Sequence, residues 1–124
     1  QDFALNEYQE KALSQIKEAF ETNTTALLHG VTSSGKTLIY TQLIKETIAE
    51  GRQVLYLVPE IALTTQLVER LKVMIGEELF VYHSRFSNRE RLTTWMRLLD
   101  SANNEIIIGA RSSLFLPLNN VGLI

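Results

Sequence analysis

One hundred and twenty-four residues, 45% of them hydrophobic, are enough for a single domain with a sizeable apolar core. The balance of 12 basic against 14 acidic side chains gives a formal charge of −2, which excludes a globally basic nucleic-acid coat and confines any such contact to a local patch. Cysteine is absent, so neither a disulfide framework nor a cysteine zinc site exists in this segment, and runs such as "VLYLV" are far too short to span a bilayer.

That composition suits a cytoplasmic protein with no membrane attachment. Gln1 at one end, and an apolar stretch stopping on Ile124 at the other, suggest a piece of a larger protein. In chain order, Leu5, Tyr8, Ala12, Ile16 and Ala19 recur at three and four residues, with Leu13 and Phe20 widening the stripe, and predict an amphipathic helix over 6–21. Asn6, followed three residues later by Gln9, fits a capping box. "TTALLH" predicts a short buried strand feeding "HGVTSSGKT", and the next helix carries Ile39, Tyr40, Leu43, Ile44 and Ile48 on one side before Gly51 stops it.

"QVLYLVP" reads as a strand covered on both faces, closed by Pro59. Leu63, Leu67, Val68, Leu71 and Met74 predict a helix up to Gly76, and "ELFVYH" a third strand. Ser87 and Glu90 fit a second capping box, before a helix whose stripe is Leu92, Trp95, Met96 and Leu99, with Trp95 expected in the core. "EIIIGA" predicts a fourth strand and "VGLI" the start of a fifth. Strands alternating with helices of this length imply an α/β fold with ligand loops at the strand carboxyl ends.

Gly30, four residues, then Gly35, Lys36 and Thr37 match the phosphate-loop pattern. Such a loop needs glycine because its backbone must turn tightly and bring several N–H groups to anionic oxygens, while the next helix offers its positive end. Gly30 makes the turn, Val31, Thr32, Ser33 and Ser34 supply backbone donors, and Gly35 permits close approach. Lys36 is expected on the β- and γ-phosphates and the Thr37 hydroxyl on Mg²⁺, with a nucleoside triphosphate as the ligand. An ordinary glycine loop would leave Lys36 solvated and Thr37 capping a helix, but a strand before and a helix after favour the nucleotide. Phosphoryl transfer also needs a carboxylate beside the Mg²⁺; Glu60 is the only acidic residue directly at a strand's carboxyl end, and there it serves equally well as a charge at a helix start. His83 has no acidic partner at triad spacing and reads as structural; Arg85, Arg89, Arg91 and Arg97, broken by Glu90, read as a solvated helix face.

"LNEYQEKAL", "LLHGVTSSGKT", "VLYLVPEIALTTQLVERL", "VYHSRFSNRERLTTW" and "IIIGARSSLFLPLNNVGLI" occur in that order, and with that spacing the chain resembles the primosomal protein N′ family of bacterial replication-restart helicases. The resemblance covers nearly the whole chain. It implies a 3′-to-5′ superfamily 2 DNA helicase acting in replication restart and primosome assembly. Residues 1–124 would be the N-terminal part of the first RecA-like ATP-binding lobe, a P-loop NTPase with a mostly parallel sheet and helices on both faces, stopping before the Walker B acidic box. It implies that Gln9 reads adenine, besides completing the Asn6 cap, and that "VPEIALTTQ" and "GARSSLF" face single-stranded DNA. A physical route exists: N–H groups around Ile61 to Leu63 with the Thr64 and Thr65 hydroxyls, and Arg111 with Ser112 and Ser113, are placed to receive phosphates. The same resemblance implies forked DNA, other primosome proteins and single-stranded DNA-binding protein as partners, and zinc elsewhere in the intact protein. Three residues depart from the family pattern: Ser33 for Gly, Thr65 for Pro and Arg85 for Gly. The rival readings are a non-catalytic nucleotide-binding module and a small-molecule kinase, although the arginine-rich lid of the latter is not visible.

Overall fold

Asn6 starts the first helix, α1 (Glu7–Thr22). Its side chain accepts the Gln9 N–H at 2.9 Å while Gln9 Oε1 accepts the Asn6 N–H at 2.9 Å, so the expected capping box forms and satisfies two amides at once. Leu13 and Ile16 are buried with Ile39 of α2 (Lys36–Ala49), and Leu5, Ala12, Ala26, Leu28 and Leu43 pack around them. The inward face of α1 runs through positions 5, 9, 13 and 16, so Gln9 holds the place expected for Tyr8, which lies about 100° round the helix and is exposed.

The computed structural model describes residues 4–29, 35–82, 88–99, 105–118 and 120–124, and within these it divides into two units, 1–43 and 44–124. In the first unit the expected strand "TTALLH" does not form. Ala26 and Leu28 are half-buried while Leu27 is 89% exposed, so the two-residue period of a strand is there. What it lacks is a ladder within its own unit, whose other described elements are helices, and a strand exists only through a neighbour's backbone bonds.

The second unit carries a four-stranded, all-parallel sheet in the order β2-β3-β1-β4, formed by β1 (Gln53–Leu57), β2 (Leu79–Tyr82), β3 (Ile106–Gly109) and β4 (Val121–Leu123). Register pairs Val54 with Ile106 and Leu57 with Gly109 across one edge of β3, and Leu79 with Ile106 and Tyr82 with Gly109 across the other. Alternation then sorts the side chains. Val54, Ile106, Ile108 and Leu79 face Ile44 of α2 and Val68, Leu71 and Ile75 of α3 (Thr65–Ile75). Leu55, Ile107 and Tyr82 face Leu98 of α4 (Asn88–Leu99) and Leu116. Each such fully buried Ile or Leu is worth roughly 1.5–3 kcal/mol over its exposed state, which is why both faces of this sheet must be covered.

Helix α3 joins β1 to β2 over one face, and α4 returns from β2 to β3 over the other. A reversal of direction with a change of face is what one constant handedness of crossover requires. At the far edge Gln53 fixes β4: its N–H donates to the Asn120 carbonyl at 2.8 Å and its Oε1 accepts the Asn120 N–H at 2.9 Å.

Two further segments differ from expectation. The inward side of α4 is carried by Thr94 and Leu98, whereas Leu92, Trp95 and Met96 face outward, Trp95 at 42% exposure. Trp95 is therefore not a core residue; Leu98, adjacent in sequence to the expected stripe, points at the sheet instead. The segment after Pro59 is a short 3₁₀ turn, Glu60–Ala62, and α3 begins only at Thr65, capped by the Thr64 hydroxyl accepting the Leu67 N–H at 3.2 Å.

Candidate functional site

The first candidate lies where α2 begins. Gly35 has φ +78°, in the left-handed region that a side chain disfavours, and Lys36 is the first helical residue after it. The opening N–H groups of a helix have no partner within it, so an anion in front of Lys36 and Thr37 would meet donors and the positive helix end. Gln9 Nε2 donates to the Gly35 carbonyl at 3.1 Å, and a Cβ at position 35 would collide with that nitrogen. The buried Gln9 thus ties α1 to the loop, its amide orientation fixed by an N–H on one side and a carbonyl on the other. Farther along, the Thr41 hydroxyl donates to the Thr37 carbonyl at 2.8 Å.

Gly30, Val31, Thr32, Ser33 and Ser34 lie outside the described residues, as do His83 and Arg85. Among the described residues there is no cluster of three His, Asp or Glu side chains fit to hold a metal. A magnesium ion at the Thr37 hydroxyl is compatible with that: Mg²⁺ with a nucleotide takes most of its ligands from phosphates and water rather than from a protein cage.

The second candidate is a crevice of about 720 Å³ outside the carboxyl ends of β1 and β3, lined by Leu57, Val58, Pro59, Glu60, Ala110, Arg111, Ser112 and Phe115. Those strands are neighbours, yet the chain leaves β1 over one face and β3 over the other, the topological switch point at which open α/β sheets take ligands. The wall after β3 is a 3₁₀ turn, Arg111–Phe115, with the Ser113 N–H bonded to the Ala110 carbonyl at 2.9 Å. Ser113 folds back so closely that a Cβ on Gly109 would strike its Oγ and lie 2.9 Å from the Tyr82 carbonyl. The Ser112 and Ser113 hydroxyls are buried without a hydrogen-bond partner among the described residues. The group of this turn that presents polar chemistry to the crevice is the exposed Arg111, the hydroxyls being closed off from it.

Of the residues assigned to DNA, the crevice gathers Arg111 and Ser112 but not Thr64 or Thr65, which are exposed at the start of α3. The amides expected to serve as phosphate donors are partly engaged: Ala62 N–H donates to the Pro59 carbonyl at 2.9 Å and Leu63 N–H to that of Glu60 at 3.2 Å. The 3₁₀ turn uses these amides internally, which a helix start at Ile61 would have left open. Sequence reasoning missed the Gln9 link to Gly35 and the exposed Phe115; neither has a local signature, because one spans 26 positions and the other depends on which side of a short turn faces outward.

A family model described as "Type III restriction enzyme, res subunit" matches residues 2–122. The chain belongs to this family. Its α/β sheet with helices on both faces is the P-loop helicase fold of that family, as the resemblance implied. Among its relatives, "Replication restart protein PriA" of Synechocystis sp. is 48% identical over 98 residues, covering 79% of this chain and 12% of the relative. The protein of the same name from Haemophilus influenzae is 47% identical over 120 residues, 97% of this chain and 16% of its own length. That from Bacillus subtilis is 40% identical over 122 residues, 97% and 15%. The chain therefore spans less than a fifth of these relatives, and the replication-restart resemblance read from its motifs is matched along almost its whole length. Among the described residues no helix is long and apolar enough to cross a membrane.

Proposed function

We propose that the chain is the nucleotide-binding part of the first motor lobe of an ATP-dependent 3′-to-5′ DNA helicase acting in replication restart. The observation that carries this reading is the left-handed Gly35 leading directly into a helix that opens on Lys36 and Thr37, within a chain akin to replication restart proteins. ATP would bind through the amides of residues 30–37, with Lys36 neutralising the β- and γ-phosphates and Thr37 ligating Mg²⁺, which supplies charge stabilisation to the transferring phosphoryl group. Gln9 retains one amide hydrogen and one acceptor lone pair beyond its internal bonds, and these would read the adenine edge. Single-stranded DNA would run across the carboxyl-end crevice, its phosphates on Arg111 and Ser112, with Thr64 and Thr65 as further contacts. Forked DNA, primosome proteins and single-stranded DNA-binding protein are the partners this reading assigns to the intact protein, whose zinc would lie outside this segment. Cytoplasmic localisation follows from that role.

The test is Lys36→Ala in the intact protein. Unwinding and ATP turnover should fall by more than about a hundredfold, while binding to forked DNA stays near wild type, because Lys36 acts on nucleotide charge and not on the strand. Unwinding at close to the wild-type rate would remove the assignment.

A further inference from the structure

In the wall of the strand-end crevice, the 3₁₀ turn is anchored from within: Ser113 is fully buried, and Leu116 is buried with Leu55, Tyr82, Leu98 and Ile107. Between these two anchors Phe115 is left 78% exposed, yet it lines the crevice together with Arg111 and Ser112. The ring thus keeps most of its surface open, on a turn whose neighbours Ser113 and Leu116 are locked in the core. The opposite wall offers Pro59 and Leu57, apolar and without hydrogen-bond donors, and the exposed Glu60, whose charge disfavours a phosphate on that side. The crevice is thus divided, with the Arg111 cation on the β3 side and apolar surface across much of the remainder. A nucleotide unit has the same division between phosphate and base.

We propose that Phe115 is a stacking platform for one base of a single strand, with the adjoining phosphate held by Arg111. The ring gives no base selectivity, because every base has a π-face, and this suits a motor that must step along any sequence. The inference rests on the reading of the crevice as the DNA face, but it concerns bases, whereas that reading concerns phosphates.

The experiment uses the intact protein and two strands of equal length: an oligo-dT, and an abasic strand that keeps every phosphate. The quantity measured is the strand concentration that half-saturates stimulation of ATP turnover at fixed salt, which reports on the motor and not on other DNA contacts. Phe115→Ala and Phe115→Leu should each raise that concentration about tenfold for oligo-dT. Both variants should leave it unchanged for the abasic strand, and Phe115→Tyr should behave as wild type with both. Arg111→Ala should weaken both strands alike. Should Phe115→Ala be silent with both strands, or weaken both equally, stacking is overturned while a sensitive Arg111 keeps the DNA face. If Arg111→Ala is also silent, the DNA reading of the crevice falls with it.

Discussion

A carboxamide offers two hydrogens and two acceptor positions, and the structure uses one of each in Gln9: Oε1 holds the Asn6 amide and Nε2 holds the Gly35 carbonyl. The same buried side chain therefore caps a helix and braces the left-handed turn before Lys36. Replacing it removes both bonds and leaves the half-buried Gly35 carbonyl with one partner fewer, at about 1 kcal/mol per bond by the general cost of such losses. Gln9→Ala should accordingly lower the unfolding midpoint. Should its remaining hydrogen and lone pair read adenine, the variant also loses its preference for ATP over GTP; titrating both nucleotides against both proteins checks this. An equal loss for the two nucleotides would confine Gln9 to bracing the loop.

At the scale of elements, the start of α3 has a backbone that suits the proline which the family resemblance leads one to expect at position 65. Thr65 is the first helical residue, where the amide has no helical partner and proline's fixed φ is already suitable. Thr64 before it is extended, at φ −108° and ψ 159°, the conformation that a residue preceding proline prefers. Thr65→Pro should stabilise the fold by about 0.4–1 kcal/mol through the unfolded chain, seen as a higher denaturant midpoint at unchanged slope. Lower stability would mean that the Thr65 amide has a role in the fold. The junction of β3 with the following turn is the opposite case. Gly109 admits no Cβ because Ser113 Oγ and the Tyr82 carbonyl occupy its place, and both belong to packed backbone or a buried side chain. Gly109→Ala should cost about 1–3 kcal/mol by overpacking. Because the strain falls on the turn carrying Arg111, weaker strand binding should accompany the loss of stability; a variant as stable as wild type would show that the turn yields freely.

For the molecule as a whole, what was legible in the sequence was whatever short-range chemistry decides. The Asn6–Gln9 box, the stops at Gly51 and Gly76, and the apolar runs of β1 to β3 depend on neighbours within a few positions, and they formed as expected. Trp95 turned outward and α3 started late, because neither the choice between two helix faces nor an intervening 3₁₀ turn is written in the hydrophobic spacing. The candidate site divides along the same line, since the phosphate-loop pattern is local, whereas the crevice joins residues more than fifty positions apart. That division bears on catalysis. A phosphoryl-transfer site needs a carboxylate beside the Mg²⁺, usually from the end of a neighbouring strand. Among the described residues that follow a strand, only Glu60 is acidic, and it stands in the crevice wall at the start of a 3₁₀ turn. The 124-residue segment should therefore bind ATP without DNA-stimulated turnover, measured by phosphate release with and without oligo-dT on material whose circular dichroism shows folded helix. ATP binding is followed separately, by protection from thermal unfolding. Protection without stimulated turnover is the expected pair of results; robust stimulated turnover would mean that a carboxylate within these residues completes the site, and Glu60→Gln would then be the first substitution to abolish it.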